Sequence, residues 1–504
     1  DLNLTIDVNI QGIIERELAT AVDEYECDSG ITIAMDPSTG KILAMADYPN
    51  FDPNNRNTPN SKLAENWDTL SSEEKSNALL RMWTPKAVTD TYAPGSVFKL
   101  ITSSIGLEEN LVKTDTAGEF NCTGYYYING EEKPIRCWNW RKPHGKQSLR
   151  EALEHSCNPA FIELGLRIGA QLSYKYYQAF GLFEKTGISL PGEAIGKFYA
   201  LNKINQHELA TMSFGEKFTI TPIQMISAVS TIANDGVLVQ PQLVDKITNT
   251  DTGEVTEFKT KEIRQVISKS TTDKVKSMME SVVSEGSGYR VAEQAKGFSI
   301  GAKTGTSEPT SSTSKDGYTA SFVAISPVED TQVVLLLNLY KPPKSNHQGG
   351  TLAGPVVSQM LTEILPYLGI PSDAESTDDS DLITVPEVRN KTIAEAEKVL
   401  TNAGFTSKIT TSNDKNSTVV TDQVPKPGVS LSKGSTIMLY DQDTRVSTTV
   451  PDLTGKSKYQ ATSELKNANL NISIEGSGTV VSQDPPKGSN VDAGTVVKVT
   501  LKSH

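Results

Sequence analysis

The stretch Tyr92-Ala93-Pro94-Gly95-Ser96-Val97-Phe98-Lys99-Leu100-Ile101-Thr102 places a serine at the start of an apolar helix, directly after a Pro-Gly turn. Helical geometry returns Lys99, three residues on, to the face of Ser96, so the two side chains can meet. A serine hydroxyl is a poor nucleophile at neutral pH and needs a base. A lysine serves once burial or a nearby cation lowers its pKa. The backbone N–H groups of the helix N-terminus offer a place for a developing oxyanion. Ser-x-x-Lys is also common on solvated helix faces, so its meaning depends on the rest of the chain.

Upstream, Ile10 to Tyr25 has helical apolar spacing, and Gly30 to Ala46 reads as a β-hairpin around Asp36-Pro37-Ser38-Thr39-Gly40. Asn50 to Asn60 is loop. Helix signals fill Ser71 to Gly181, broken by a Tyr/Gly-rich hairpin between Phe120 and Trp138. Thr221-Pro222 caps another apolar helix. Three β runs follow, at Phe298–Thr306, Thr319–Ile325 and Gln332–Tyr340, and Val356–Leu368 closes as a helix. This is an α+β plan in which the opening hairpin and the last strands share one sheet, within a domain spanning 1–370.

Residues 371–383 carry acids, Ser and Thr with almost nothing apolar, and read as a linker. Beyond it the chain repeats itself. Val385-Pro386-Glu387-Val388 matches Val450-Pro451-Asp452-Leu453, and Gln423 to Gly428 matches Gln483 to Gly488. Two small α+β modules, 384–443 and 447–502, are expected.

Lys plus Arg number 48 against 61 Asp plus Glu, a formal net charge of −13. With no basic cluster, nucleic acid is excluded as a partner. No apolar run approaches the roughly 20 residues that span a bilayer, so the chain as given reads as soluble. Asp1 to Asp7 reads as a strand entering a domain, and an upstream segment is expected.

Ser156-Cys157-Asn158 stands at an interhelix turn, where a hydroxyl and a carboxamide can relay a proton and hold an amide; an ordinary helix cap is the plainer reading. Lys303-Thr304-Gly305-Thr306 in a strand offers a cation, two hydroxyls and close backbone approach, and equally reads as an edge strand with a protective lysine.

Taken together and in this order, the three motifs resemble the signature set of penicillin-binding proteins and serine β-lactamases. The stretches Asp90 to Lys99, Leu190-Pro191-Gly192-Glu193 and Ser213 to Pro222 resemble class B penicillin-binding proteins, and the tail repeats look like PASTA modules. The resemblance implies an antiparallel sheet with a helical subdomain and a peptidoglycan D,D-transpeptidase activity. Ser96 would attack the penultimate D-Ala of a stem peptide, with Lys99 as its base. Ser156 and Lys303 would relay the proton to the departing D-Ala, and Asn158 would bind the substrate amide. Thr304 and Thr306 would engage the carboxylate, Gly305 would allow close approach, and the N–H groups of Ser96 and Thr306 would form the oxyanion hole. An amine from a neighbouring stem would resolve the ester, and β-lactams would acylate Ser96 and stay. The family also implies a separate glycosyltransferase partner, a division or sporulation role and a Gram-positive-type cell. Its members are held at the outer face of the cytoplasmic membrane by an N-terminal single-pass anchor absent from this chain. A serine β-lactamase and a non-catalytic sensor of β-lactam or wall fragments are the rivals; Leu190 to Glu193 does not spell the deacylating loop of class A lactamases.

Cys122, Cys137, His144 and Cys157 offer three thiols and an imidazole, a set suited to structural tetrahedral zinc. His144 and Cys157 favour that reading over a cross-strand disulfide between Cys122 and Cys137, or over buried free thiols. A subset of class B penicillin-binding proteins is similar in having a metal site in this region. His155 is a substitute ligand, and Cys27 reads as a core thiol.

Overall fold

The computed structural model describes residues 1–128, 131–295, 297–308, 317–370, 382–409, 414–434, 436–441, 447–456, 458–468, 470–476, 478–492 and 494–502. The chain divides into two units, Asp1–Met360 and Leu361–His504.

In the first unit a five-stranded antiparallel sheet runs in the order Gly301–Ser307, Thr319–Ser326, Val333–Tyr340, Ser29–Met35, Ile42–Tyr48. The opening hairpin thus lies beside the last strand, as the α+β reading expects. Asp36 closes the hairpin turn by accepting from Ser38 N at 2.9 Å. The helix Val8–Glu24 starts at Asp7, whose carboxylate accepts the N–H groups of Asn9 and Ile10, a cap worth about 1 kcal/mol. Its Leu18 and Val22 press on Gly30 of the sheet. Ile31, Ile33 and Met35, pointing the other way, join the core that contains the helix Pro222–Ala233. Apolar layers on both faces explain why every residue of Thr319–Ser326 is buried, a pattern that alternation alone would not produce.

The region read as helical is a set of short helices, among them Lys99–Glu108, Leu149–Glu154, Asn158–Ile168 and Ala170–Ala179. Ser96 lies in a 3₁₀ turn, Gly95–Phe98, and the α-helix begins at Lys99. The hairpin between Phe120 and Trp138 is present as Tyr125–Tyr126 with Ile135–Arg136, while Phe120–Cys122 pairs instead with Gly145–Gln147. The last helix begins at Gly349, seven positions before the apolar pattern starts, because two glycines of low helix propensity open it.

The second unit holds two modules of one topology. In each, a helix, Ile393–Asn402 or Lys458–Asn467, accompanies a three-stranded sheet whose central strand, Thr436–Tyr440 or Val496–Lys502, has one parallel and one antiparallel neighbour. The repeated glutamine does the same work in both. Gln423 clasps Pro386 O and Val388 N at 3.0 and 2.8 Å, and Gln483 clasps Pro451 O and Leu453 N at 2.9 and 2.8 Å. Arg389 reaches Asp492 of the second module at 3.1 Å. Residues 371–381 of the expected linker lie outside the described residues.

Candidate active site

Two glycines fix the turn that carries Ser96. Gly95 has φ +55° and a Cβ there would lie 2.8 Å from Thr306 O; Gly215 has φ +89° and a Cβ would lie 2.0 Å from Gly95 O. The turn is therefore seated against the strand Gly301–Ser307 on one side and residue 215 on the other, with Gly95 N donating to Gly215 O at 3.0 Å. Thr102 Oγ1 donates to Ser213 O at 2.7 Å and ties the following helix to the same loop.

Lys99 is fully buried. Its Nζ donates to Ser156 O at 2.7 Å, Asn158 Oδ1 at 2.7 Å and Ser156 Oγ at 3.2 Å. Among the described residues no hydrogen bond joins Lys99 to Ser96, so the lysine is anchored on the second motif, one helical turn from the serine. Burial lowers its pKa to about 8, against the opposing charges of Cys157, Cys137 and Glu216. Lys303, also fully buried, donates to Ser156 Oγ at 3.0 Å and Thr304 O at 3.0 Å. Burial, and then the charge of Lys99, holds its pKa well below the usual lysine range. Ser156 has φ +51°, a left-handed conformation that costs a serine about 1 kcal/mol and is held by the helices on either side. Ser156, Asn158, Lys99 and Lys303 are thus brought together from three distant parts of the sequence.

Thr304 Oγ1 lies 3.1 Å from Ser287 Oγ, and Thr306 Oγ1 accepts Gly349 N at 3.0 Å. Ser287, in a turn, and Gly349, the first residue of a helix, lie outside the quoted motifs, and Glu216 lies within Ser213 to Pro222 without a role read for it. Glu216 Oε1 accepts Glu308 N at 3.3 Å, and burial raises its carboxyl to about 7. Glu193, in the stretch where a lactamase would carry its deacylating base, binds its own loop through Thr186 N and Oγ1 at 2.6 Å and Gly187 N at 3.2 Å.

The ligand atoms of Cys122, Cys137, His144 and Cys157 all lie within 4.8 Å of one another. Tetrahedral zinc–sulfur bonds of about 2.3 Å place donors about 3.8 Å apart, and Cys137 Sγ stands 3.6 Å from His144 Nδ1. All four cysteines are free thiols, so the Cys122–Cys137 disulfide is not formed; Cys122 pairs across to Gly145 instead. Hydrogen bonds from Cys157 push the Cys122 and Cys137 thiols down, to about 6 and about 3, while Cys157 is pushed up in exchange. Three thiols and an imidazole whose donor atoms lie this close fit a zinc ion, which would hold the thiols ionised. His155 does not join the set: its ring stacks on His144 at 4.9 Å and its Nδ1 faces Gln147 Oε1 at 3.3 Å. Cys27 is buried, with its thiol raised to about 11 by burial, as a core thiol should be.

The sequence matches the family described as "Penicillin binding protein transpeptidase domain" over residues 30–362 and the PASTA domain over 383–440 and 448–503. It is similar to stage V sporulation protein D of Bacillus subtilis, at 33% identity over 87% of this chain and 65% of that protein. It is also similar to peptidoglycan D,D-transpeptidase FtsI of Escherichia coli, at 27% identity over 76% of this chain and 58% of that protein. The chain therefore spans 65% and 58% of the length of these two relatives. Among solved structures, the transpeptidase domain of penicillin-binding protein 3 from Burkholderia pseudomallei aligns at TM-score 0.59 and 25% identity, over 73% of this chain and 97% of that one. The D,D-transpeptidase domain of a peptidoglycan glycosyltransferase from Eggerthella lenta aligns at TM-score 0.59 and 26% identity, over 72% of this chain and 82% of that one. By this match the chain belongs to the penicillin-binding protein transpeptidase family, with two PASTA domains following in sequence.

Proposed function

We propose that the protein is a peptidoglycan D,D-transpeptidase that cross-links stem peptides through an acyl-enzyme on Ser96. The observation that carries this reading is the convergence of Lys99 and Lys303 on Ser156 beside a nucleophile turn docked on the strand Gly301–Ser307. Ser96 Oγ attacks the carbonyl of the penultimate D-Ala and gives its proton to neutral Lys99. The oxyanion is met by the N–H groups of Ser96 and Thr306. Ser156, fed by Lys303, returns a proton to the departing D-Ala nitrogen, and Asn158 holds the substrate amide. Thr304 and Thr306 bind the terminal carboxylate, and Gly305 lets the strand close on the nucleophile turn, since a Cβ there would stand 2.2 Å from Ser321 Oγ and 2.9 Å from Val97 Cγ2. The amine of a second stem then attacks the ester, forming the cross-link and freeing Ser96.

The domain boundaries 1–370, 384–443 and 447–502 belong to this reading. So do a separate glycosyltransferase that supplies glycan, and an anchor that holds the enzyme at the outer face of the cytoplasmic membrane. No helix among the described residues is long and apolar enough to cross a membrane. Cys122, Cys137, His144 and Cys157 would hold a structural zinc ion, which supplies a cross-link between the 122–144 segment and the second motif and no acyl-transfer chemistry.

Fluorescent penicillin tests the assignment. Wild-type protein becomes stably labelled and Ser96→Ala does not; labelling of the alanine variant removes the nucleophile, and rapid nitrocefin turnover by the wild type replaces the transpeptidase reading with a lactamase.

A further inference from the structure

The strand Gly301–Ser307 is an edge strand whose only sheet neighbour among the described residues is Thr319–Ser326. Alternate residues turn their N–H and C=O groups to the open edge. Thr304, Thr306 and Glu308 share it: Thr304 O takes Lys303 Nζ at 3.0 Å, Thr306 O faces Gly95, and Glu308 N donates outward to Glu216 Oε1 at 3.3 Å. On the transpeptidase reading the substrate carboxylate lies at Thr304 and Thr306, and its acyl carbon at Ser96. The donor stem then continues toward Glu308, about 7 Å further for two residues of extended peptide. Glu216, whose Oε1 takes Glu308 N, stands beside that end of the strand.

A carboxylate there has chemical meaning. Cross-linking consumes an amine carried by one stem, and stems of one polymer serve as both donor and acceptor, so a donor brings an amine of its own into the site. Among the described residues the Glu308 N–H is the only hydrogen-bond partner of Glu216, which leaves its second oxygen for a ligand. The groups whose charges act on it are Glu308, Lys217 and Lys99.

We propose that Glu216 is a specificity-determining residue whose carboxylate receives the side-chain ammonium of the donor-stem residue preceding the D-Ala pair; the inference rests on the transpeptidase reading. An ammonium bound there keeps the carboxylate ionised, which burial alone opposes.

The test compares acylation by two esters, acyl-Lys-D-Ala-D-lactate with its lysine amine free and the same compound with that amine acetylated. The ratio of their kcat/KM values within one variant cancels any general loss of activity. The wild type is expected to prefer the free amine by about tenfold, Glu216→Gln to bring the ratio near one, and Glu216→Lys to reverse it. A wild-type ratio of one, or a preference that survives in both variants, overturns the inference. If the wild type is labelled by penicillin and uses both esters equally, this inference alone fails; if neither penicillin nor ester acylates it, the transpeptidase reading fails with it.

Discussion

Lys99 and Lys303 address one hydroxyl: their Nζ atoms lie 3.2 and 3.0 Å from Ser156 Oγ. Two ammonium groups this close disfavour each other's charge, and burial disfavours both, so the site readily holds one neutral amine. Ser156 is the only side chain hydrogen-bonded to both lysines among the described residues. Ser156→Ala is expected to slow acylation by about 10²–10⁴-fold, the range of a lost general acid–base group, as timed with fluorescent penicillin.

The pH profile should report Lys99. With its pKa at about 8, the base is protonated below that pH and neutral above it. Acylation should rise about tenfold per pH unit from pH 6 and level off above pH 8, about a hundredfold higher. A profile flat from pH 6 to pH 9 would count against Lys99 as the base.

Asp47 gives a stability prediction remote from the chemistry. Burial raises its pKa to about 6, its Oδ2 accepts Lys86 N at 2.9 Å, and its Oδ1 has no hydrogen-bond partner among the described residues. A carboxyl whose folded pKa is raised above the unfolded value penalises folding above about pH 6, and the penalty fades as pH falls toward 4. Asp47→Asn should therefore raise stability by about 1–3 kcal/mol at pH 8 and change little at pH 4, read by denaturant melts at both pH values.

The thiol cluster predicts about one zinc per chain by elemental analysis. Cys157 is the middle residue of the second motif, so stripping the metal or replacing Cys137 by Ser should lower the melting temperature and slow penicillin acylation together. Metal-free protein with undiminished acylation would separate the cluster from the active site.

Gly215→Ala is expected to be severe. The added methyl would stand 2.0 Å from Gly95 O, at a backbone φ of +89° that alanine rarely adopts. Acylation should fall at least tenfold, with a loss of thermal stability visible in calorimetry.

The motifs could be picked out because each is a short run of neighbouring residues: Ser96 with Lys99, Ser156 with Asn158, Lys303 with its two threonines. The hairpin around Asp36 and the helix capped at Thr221 were legible for the same reason, since a turn and a cap announce themselves within a few residues. What the sequence could not display is who meets whom. Spacing suggested that Lys99 turns to Ser96, but its hydrogen bonds go to Ser156 and Asn158, some sixty residues away. Glu216 and Ser287 enter the site through loops, and Gly349 at the first residue of a helix, where no period marks a residue as facing inward. The small sheets of residues 237–265 escaped for a different reason: Val255–Glu257 is wholly exposed, and a strand without a buried face leaves no alternation to read.

The order of strands in the central sheet also sets a schedule for making the molecule. Ser29–Met35 and Ile42–Tyr48 emerge early, yet the neighbour of Ser29–Met35 on its other side is Val333–Tyr340, almost three hundred residues later. At a synthesis rate of about 5–20 residues per second, the hairpin keeps an unpaired edge for about 15–60 seconds. A chaperone that shields this edge during biosynthesis would act while Ser96, Ser156 and Lys303 are still emerging one after another, before the strand that completes the sheet has been made.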